Sequence, residues 1–356
     1  MLFTQTKLVA VGVGTTWRES HPDRSAWFQT KITETHMEQC MEQNKTPETN
    51  YHIPVLLDEV IDLMAPEKGK TIIDGTLGGG GHTEAMLQAG ANVIGVDQDD
   101  QALSFAQDRL VTFSNSFTPV DGNFANLPQL LTDIGVGKVD GILVDIGVSS
   151  WQLDEADRGF SFRKEGPLDM RMDRSGGKTA ADLVNTLSDQ ELRTIFYEYG
   201  EERAGSKIAR RLVERRETQP FTTTTDLADF ISSILPRKKG PAGKIHPATR
   251  VFQALRIAVN DELGVLRKFL ENASDLLNPG GRVLVITFHS LEDRMVKRFF
   301  KNASESHIDR KEWPEPRPNP DFKYKLITRR PITATDAEIQ GNKRSRSAKL
   351  RVAEKI

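Results

Sequence analysis

Cysteine is nearly missing from this chain: among 356 residues there is one, Cys40. A single thiol excludes a disulfide framework, a CxxC redox pair and a cysteine-rich zinc centre. Long apolar runs are missing too. The longest, such as residues 141–144 and 283–288, fall far short of the ~20 residues that cross a bilayer. The first 17 residues hold one lysine and a short apolar patch at 8–13, a poor secretory signal. There is no internal repeat and no low-complexity segment. These absences predict a soluble protein of a reducing compartment, the cytoplasm, with no membrane partner. What is present suits a globular chain. Hydrophobic residues make up 37% and charged residues 28%, which allows a real core and argues against wholesale disorder. At ~100–200 residues per domain the length implies one large domain or two modest ones.

The net charge of −2 hides an asymmetry. Residues 51–150 carry 14 acidic against 4 basic side chains. Residues 201–250 carry 11 basic against 6 acidic, and residues 301–356 carry 14 against 8. One acidic part and two basic parts suggest two different ligands, and a basic surface fits a polyanion such as nucleic acid. Solubility and salt bridging are the plainer alternative.

Residues 1–50 lack sustained apolar periodicity and read as a tail. Apolar positions Val55, Leu56, Val60, Ile61, Leu63 and Met64 then suit a one-faced helix. Residues 70–74 (KTIID) read as a buried strand ending in a carboxylate, 75–81 as a glycine-rich turn and 83–89 as a helix. Residues 92–97 (NVIGVD) form a second such strand, 99–110 a helix with Asp99 as its N-cap, 117–120 a third strand and 139–146 a fourth. This alternation predicts right-handed βαβ units and a parallel sheet. From about residue 151 to 245 the pattern is helical, with helices at 180–187, 189–199, 205–217 and 225–234. The third has a basic face that reads as solvated. A long amphipathic helix follows His246-Pro247 and ends at Asn278-Pro279-Gly280-Gly281. A fifth strand at 282–288, a helix at 291–300 and an antiparallel strand pair at 322–328 and 348–353 complete the reading. The predicted class is α/β: a discontinuous sheet domain, residues 51–150 and 246–356, interrupted by an all-helical insert at 151–245.

A strand, a glycine turn and a helix make a nucleotide cradle. The run from Asp74 to Thr83, DGTLGGGGHT, fits neither G-x-G-x-x-G nor a P-loop, which needs Gly-Lys-Ser/Thr. The acids are more informative. Asp97 ends the second strand 23 residues after Asp74, where a carboxylate grips the ribose of an adenosine cofactor. Asp145 ends the fourth strand on the same edge. Three carboxylates around one cleft would repel a pyrophosphate and suit a ligand with a cationic centre. S-adenosylmethionine carries a sulfonium and an ammonium and no phosphate. Each acid alone reads equally as a turn or cap residue.

The strings HIPVLLDEV (52–60), DGTLGGGGH (74–82), GILVDIGVSS (141–150) with QLD (152–154), RGFSF (158–162), GPLDMRMD (166–173), YGEE (199–202), HPATRVFQALRI (246–257) and TFHSLEDR (287–294) go further. In order and spacing the chain resembles the bacterial 16S ribosomal RNA cytosine-N4 methyltransferase family over residues 52–356. The resemblance implies a class I, Rossmann-like methyltransferase domain with an inserted helical domain that recognises RNA. It implies S-adenosylmethionine contacts at Gly80, Gly81, His82, Asp97, Phe124, Asp145 and Gln152, with Phe124 against adenine. It also implies a substrate in the small ribosomal subunit, a decoding-centre cytidine. It leaves open monomer or homodimer, and naked RNA or assembled subunit. Met37 and Met41 precede the matched region, so residues 1–36 are expected to precede the true start. A mitochondrial presequence is the rival, which Glu19, Asp23 and Glu34 oppose.

Methylation at cytosine C5 generally needs a cysteine nucleophile, and Cys40 lies in the tail. A zinc deaminase needs a His/Cys/Cys set. An exocyclic amine can instead attack a sulfonium methyl directly, helped by orientation and electrostatics. Many amino-methyltransferases carry an Asp/Asn/Ser-Pro-Pro-Tyr motif at the fourth strand; here the site reads Asp145-Ile146-Gly147-Val148. Asp145 is the first catalytic candidate and His289 the second, with a structural histidine as the alternative for the latter. His246 reads as the start of a helix. Arg171 and Arg174 either grip phosphates or pair with Asp169 and Asp173. No metal is expected. RNA is expected across Arg210, Arg211, Arg215, Arg216, Arg237, Lys238, Lys239, Lys343, Arg344 and Arg346. Competing functions are a methyltransferase for a small molecule or DNA, and a non-catalytic RNA-binding assembly factor that retains the fold.

Overall fold

The computed structural model describes residues 53–235 and 246–356. The tail, Cys40 and the loop carrying Arg237, Lys238 and Lys239 lie outside the described residues. Nine strands follow one another among them: β1 (Thr71–Asp74), β2 (Asn92–Asp97), β3 (Phe117–Asp121), β4 (Val139–Asp145), β5 (Leu277–Thr287), β6 (His307–Ile308), β7 (Arg317–Pro318), β8 (Tyr324–Leu326) and β9 (Lys349–Lys355). Seven form one sheet in the order β3-β2-β1-β4-β5-β9-β8. β1 to β5 run parallel, and β9 lies antiparallel between β5 and β8. β6 and β7 make a separate two-stranded hairpin.

The central strands are short β-branched runs because both faces of a parallel sheet are covered. Successive residues point to opposite faces. Ile72, Val93, Leu143 and Leu284 enter one core, with Val60 and Met64 of helix Leu57–Met64. Ile73, Val96, Val144 and Val285 enter the other, with Leu266, Phe269 and Leu270 of helix Glu262–Leu276.

Between β4 and β5 the chain builds a third core from helices Ala180–Thr186, Asp189–Glu198, Gly205–Arg216 and Thr224–Ile234. Capping boxes start two of them, Thr179 with Asp182 and Ser188 with Glu191. Phe196, Ile208, Leu212, Leu227 and Ile231 are fully buried there. The boundary drawn from sequence at 245 differs from this packing. Helix Thr249–Asn260 gives Val251, Phe252 and Leu255 to the helical core. The single long helix expected after Pro247 is two. Asp261 adopts φ 45, the left-handed region, which Asp tolerates better than most residues. The break turns one apolar stripe toward the helical core and the next toward the sheet. Among the described residues no helix is long and apolar enough to cross a membrane.

Candidate active site

The order of the parallel strands reverses between β1 and β4, which opens a crevice beyond their carboxyl ends. The glycine turn supplies one wall. Gly78 and Gly80 have φ +49 and +74, a conformation that costs glycine nothing. This turns the Gly78 N–H toward Asp97, whose Oδ2 accepts it at 2.8 Å. Asp97 Oδ1 accepts from the Asp99 N–H at 3.0 Å. Burial pushes the Asp97 carboxyl up to about 6 against these two bonds, with Asp99 and Asp74 adding repulsion.

Asp74 behaves differently from its sequence reading. It is 1% exposed and does not line the cleft. It accepts from Thr83 Oγ1 at 2.8 Å and from the Thr76 N–H at 3.3 Å, so it braces the turn from beneath. Burial raises it to about 6. Two of the three strand-end acids therefore face the cleft. The second is Asp145, whose backbone N–H donates to Thr76 Oγ1 at 2.6 Å. Its side-chain Oδ1 is buried without a hydrogen-bond partner. Burial, then the charges of Asp74 and Glu292, push Asp145 up to about 8. A buried carboxylate oxygen with no hydrogen-bond partner suits a donor or a cation.

The other candidates distribute as follows. Gly81, His82, Phe124 and Gln152 line the cleft with Asp97 and Asp145. Gly80 does not; it is the left-handed N-cap of helix Gly81–Gln88. His82 Nε2 lies 2.9 Å from the Val55 carbonyl, and burial pushes the imidazole down to about 4. Neutral His82 thus donates and ties the preceding segment to the glycine turn. Phe124 presents an apolar wall, edge-on to Phe269 at 5.6 Å. Gln152 is held in a buried network: its Nε2 donates to Asp99 Oδ2 at 3.0 Å, and Arg158 Nη1 donates to the same oxygen at 2.6 Å. Arg158 and Asp99 are 3% and 7% exposed. Arg158 Nη2 also donates to the carbonyls of Arg171 and Met172, which brings Met172 to the cleft.

Sequence reasoning missed that network, because Asp99 and Arg158 are remote in the chain. It also missed Glu262, a buried wall of the cleft. Arg256 grips both Glu262 oxygens at 2.7 and 2.8 Å. His289 is not a lining residue, though its neighbour Phe288 is. It caps helix Ser290–Ala303 through Nδ1, which accepts the Glu292 N–H at 3.4 Å. Glu292 in turn accepts from the N–H groups of Phe288 and His289.

Donor atoms of Glu262, His289 and Glu292 lie within 4.8 Å of one another. Their bonding opposes an ion. With Nδ1 accepting, the neutral ring carries its proton on Nε2 and offers no lone pair there. Both Glu262 oxygens already face a guanidinium.

Several predicted RNA contacts are engaged within the fold. Arg215 makes two bonds to Asp226, at 2.8 and 2.7 Å, and stacks on Phe221 at 4.0 Å. Arg216 Nη1 donates to the carbonyls of Val184 and Leu187. Arg344 is half-buried, 3.5 Å from Asp154. Arg210 and Arg211 are exposed and share exposed Glu214; Lys343 and Arg346 are exposed. Arg171 clamps Asp169 at 2.7 and 2.9 Å, and Arg174 is 3.9 Å from it. His246 Nδ1 accepts the Ala248 N–H at 3.2 Å, at the start of helix Thr249–Asn260.

The sequence profile described as the MraW methylase family matches residues 49–356. The chain belongs to that family. A protein of Carboxydothermus hydrogenoformans named ribosomal RNA small subunit methyltransferase H is 50% identical over 306 residues, 86% of this chain and 98% of that one. Proteins of the same name from Citrifermentans bemidjiense and Deinococcus deserti are 50% and 49% identical over 309 and 315 residues. They are matched over 99% and 97% of their length, and over 86% and 88% of this chain. Membership makes the chain a methyltransferase with S-adenosylmethionine as its methyl donor. The cleft suits that donor: an unpaired carboxylate for the cationic end, a strand-end acid at β2, an apolar ring and no lysine or arginine among the lining residues.

Proposed function

We propose that the protein methylates the exocyclic N4 of a decoding-centre cytidine in small-subunit ribosomal RNA, in the cytoplasm. The observation that carries the reading is Asp145, an orphaned carboxylate at the end of β4 in a cleft also walled by Glu262. S-adenosylmethionine supplies an electrophilic methyl group. Gly81, Asp97, Phe124 and Gln152 would hold it, with Gly80 and His82 fixing the turn. Asp145 accepts a hydrogen bond from the target amine and so aims the nitrogen lone pair into the cleft. As N4 gains the methyl group it becomes cationic and sheds a proton; Asp145 is the acceptor within reach. Preorganised negative charge at that point favours the transition state over the neutral amine. His289 acts as a positioning residue, through the helix it caps and through Glu292.

N4 is occupied in a Watson–Crick pair, so the base must be unpaired or flipped. Arg210, Arg211, Lys343 and Arg346 are exposed cations offered to the RNA; Arg237, Lys238 and Lys239, outside the described residues, are offered on sequence alone. Mapping modified bases in small-subunit RNA from a strain lacking the gene tests the assignment. One N4-methylcytidine should disappear and return on complementation; an unchanged modification map overturns the substrate.

A further inference from the structure

A second cavity shares no residue with the cleft. Phe300 and Leu326 line it, and Lys297, Lys301 and Arg329 are exposed along it. Lys297 and Lys301 stand one helical turn apart on helix Ser290–Ala303. Arg351 reaches the same cavity, but its charge is engaged by Asp293 at 2.7 Å. Lys301 has only an exposed partner, Glu305, at 3.6 Å. Among the described residues Lys297 and Arg329 make no ion pair, whereas most arginines near the cleft do.

The β6–β7 hairpin is rooted beside this cavity. Buried Asn319 donates to the carbonyls of Asn302 and Glu305 at 2.7 Å each, and Glu305 lines the cavity. The hairpin loop carries Trp313. The guanidinium of Arg310 lies 4.9 Å from its ring centre and that of Arg317 lies 4.7 Å away. Both arginines are exposed. Asp309, Glu312 and Glu315 are exposed on the same hairpin, and none of them pairs with either arginine. An aromatic ring, not a carboxylate, orders these two guanidiniums, so their hydrogen-bonding edges stay available.

We propose that this face is a second RNA-binding surface: the cavity seats backbone phosphates, and the Arg310–Trp313–Arg317 stack takes an unpaired base. The inference rests on RNA being the substrate. Planar stacking cations beside free point charges are what single-stranded RNA uses, phosphates on lysine and arginine and bases on aromatic and guanidinium planes. An acidic protein would use the charges but leave the stack without a role.

The test measures binding of transcribed small-subunit ribosomal RNA to the full chain as salt is varied, with calorimetry of S-adenosylmethionine in parallel. Lys297→Glu with Arg329→Glu should weaken RNA binding about tenfold at low salt. It should also flatten the log–log salt slope by about 1.5, because each lost phosphate contact removes roughly 0.7–0.9. Trp313→Ala should cost about fivefold with little change in slope, the mark of lost stacking rather than lost charge. Arg310→Gln with Arg317→Gln guards against local unfolding, since it keeps the tryptophan. Cofactor affinity should stay at the wild-type value throughout. Wild-type RNA affinity and slope in all three variants overturn the proposal. So does a loss confined to assembled subunits while free RNA binds normally, which would make this a protein contact. A parent protein that binds neither free small-subunit RNA nor assembled small subunits at any salt would instead overturn the substrate reading itself.

Discussion

The two sides of the cleft are built by different means. The glycine-turn side is held by hydrogen bonds to neutral partners: Asp97 accepts from Gly78, Asp74 accepts from Thr83, and His82 reaches back to the Val55 carbonyl. The opposite side is assembled by charge, over spans from four to 59 residues. Arg158 reaches Asp99, Arg256 holds Glu262, and Glu292 secures the segment after β5. The first side is a glycine turn braced by neutral donors and backbone groups. The second depends on buried ion pairs, whose members are costly when left alone. One wall of the cleft is thus held by neutral hydrogen bonds around a glycine turn, and the other by charge.

The contrast can be broken most sharply at Asp145. Asp145→Ala should lower single-turnover methylation by about 10²–10⁴-fold, the range for removing a positioned proton acceptor or charge stabiliser. The circular-dichroism melt should be little changed, because no bond to that carboxylate oxygen is lost. A wild-type rate would remove Asp145 from the chemistry. Next comes Arg158→Met, which leaves Asp99 buried and unpaired. Urea denaturation should show a loss of about 3–5 kcal/mol. Asp99→Asn should cost a similar amount: its oxygen can still accept from the Gln101 N–H, but its amide NH2 then meets the donors Gln152 and Arg158 and leaves Arg158 buried without a counter-charge. A loss of less than about 1 kcal/mol in both variants would argue that packing, not charge, fastens this wall.

The smallest effect is one of pH. Asp97 is raised to about 6, so it is neutral below that value and charged above. A cationic donor should bind more weakly as pH falls from 7.5 to 5, by up to tenfold in calorimetry. Asp145, raised to about 8, is largely protonated at pH 7 without ligand. A sulfonium beside it lowers that value again, so binding near pH 7.5 should release up to about one proton. Heats measured in buffers of different ionisation enthalpy should diverge accordingly. Buffer-independent heats would place the positive charge elsewhere.

This division also explains what could be read from the sequence. The five parallel strands, the Asp99 cap and the acids at strand ends were legible, since short β-branched runs and turn residues report on local backbone. The engaged arginines were not. Arg215 and Arg216 sit where helical periodicity predicts solvent, yet their long stems carry the charged ends back to Asp226 and to the carbonyls of Val184 and Leu187. Asp74 was read as a rim carboxylate, because its place at a strand end matches Asp97 and Asp145. Only the Thr83 hydroxyl nine residues away shows that it faces inward. Glu262 followed a helix break that apolar spacing does not encode.

That break has a mechanical corollary. Asn260 and Glu262 flank Asp261 and both reach the cleft, while the helices on either side are embedded in separate cores. The joint is the fulcrum of a lever whose long arms are the two packed helices and whose short arm is the reaction wall. A load placed on the inserted helices would therefore reach the cleft at Glu262 through this joint.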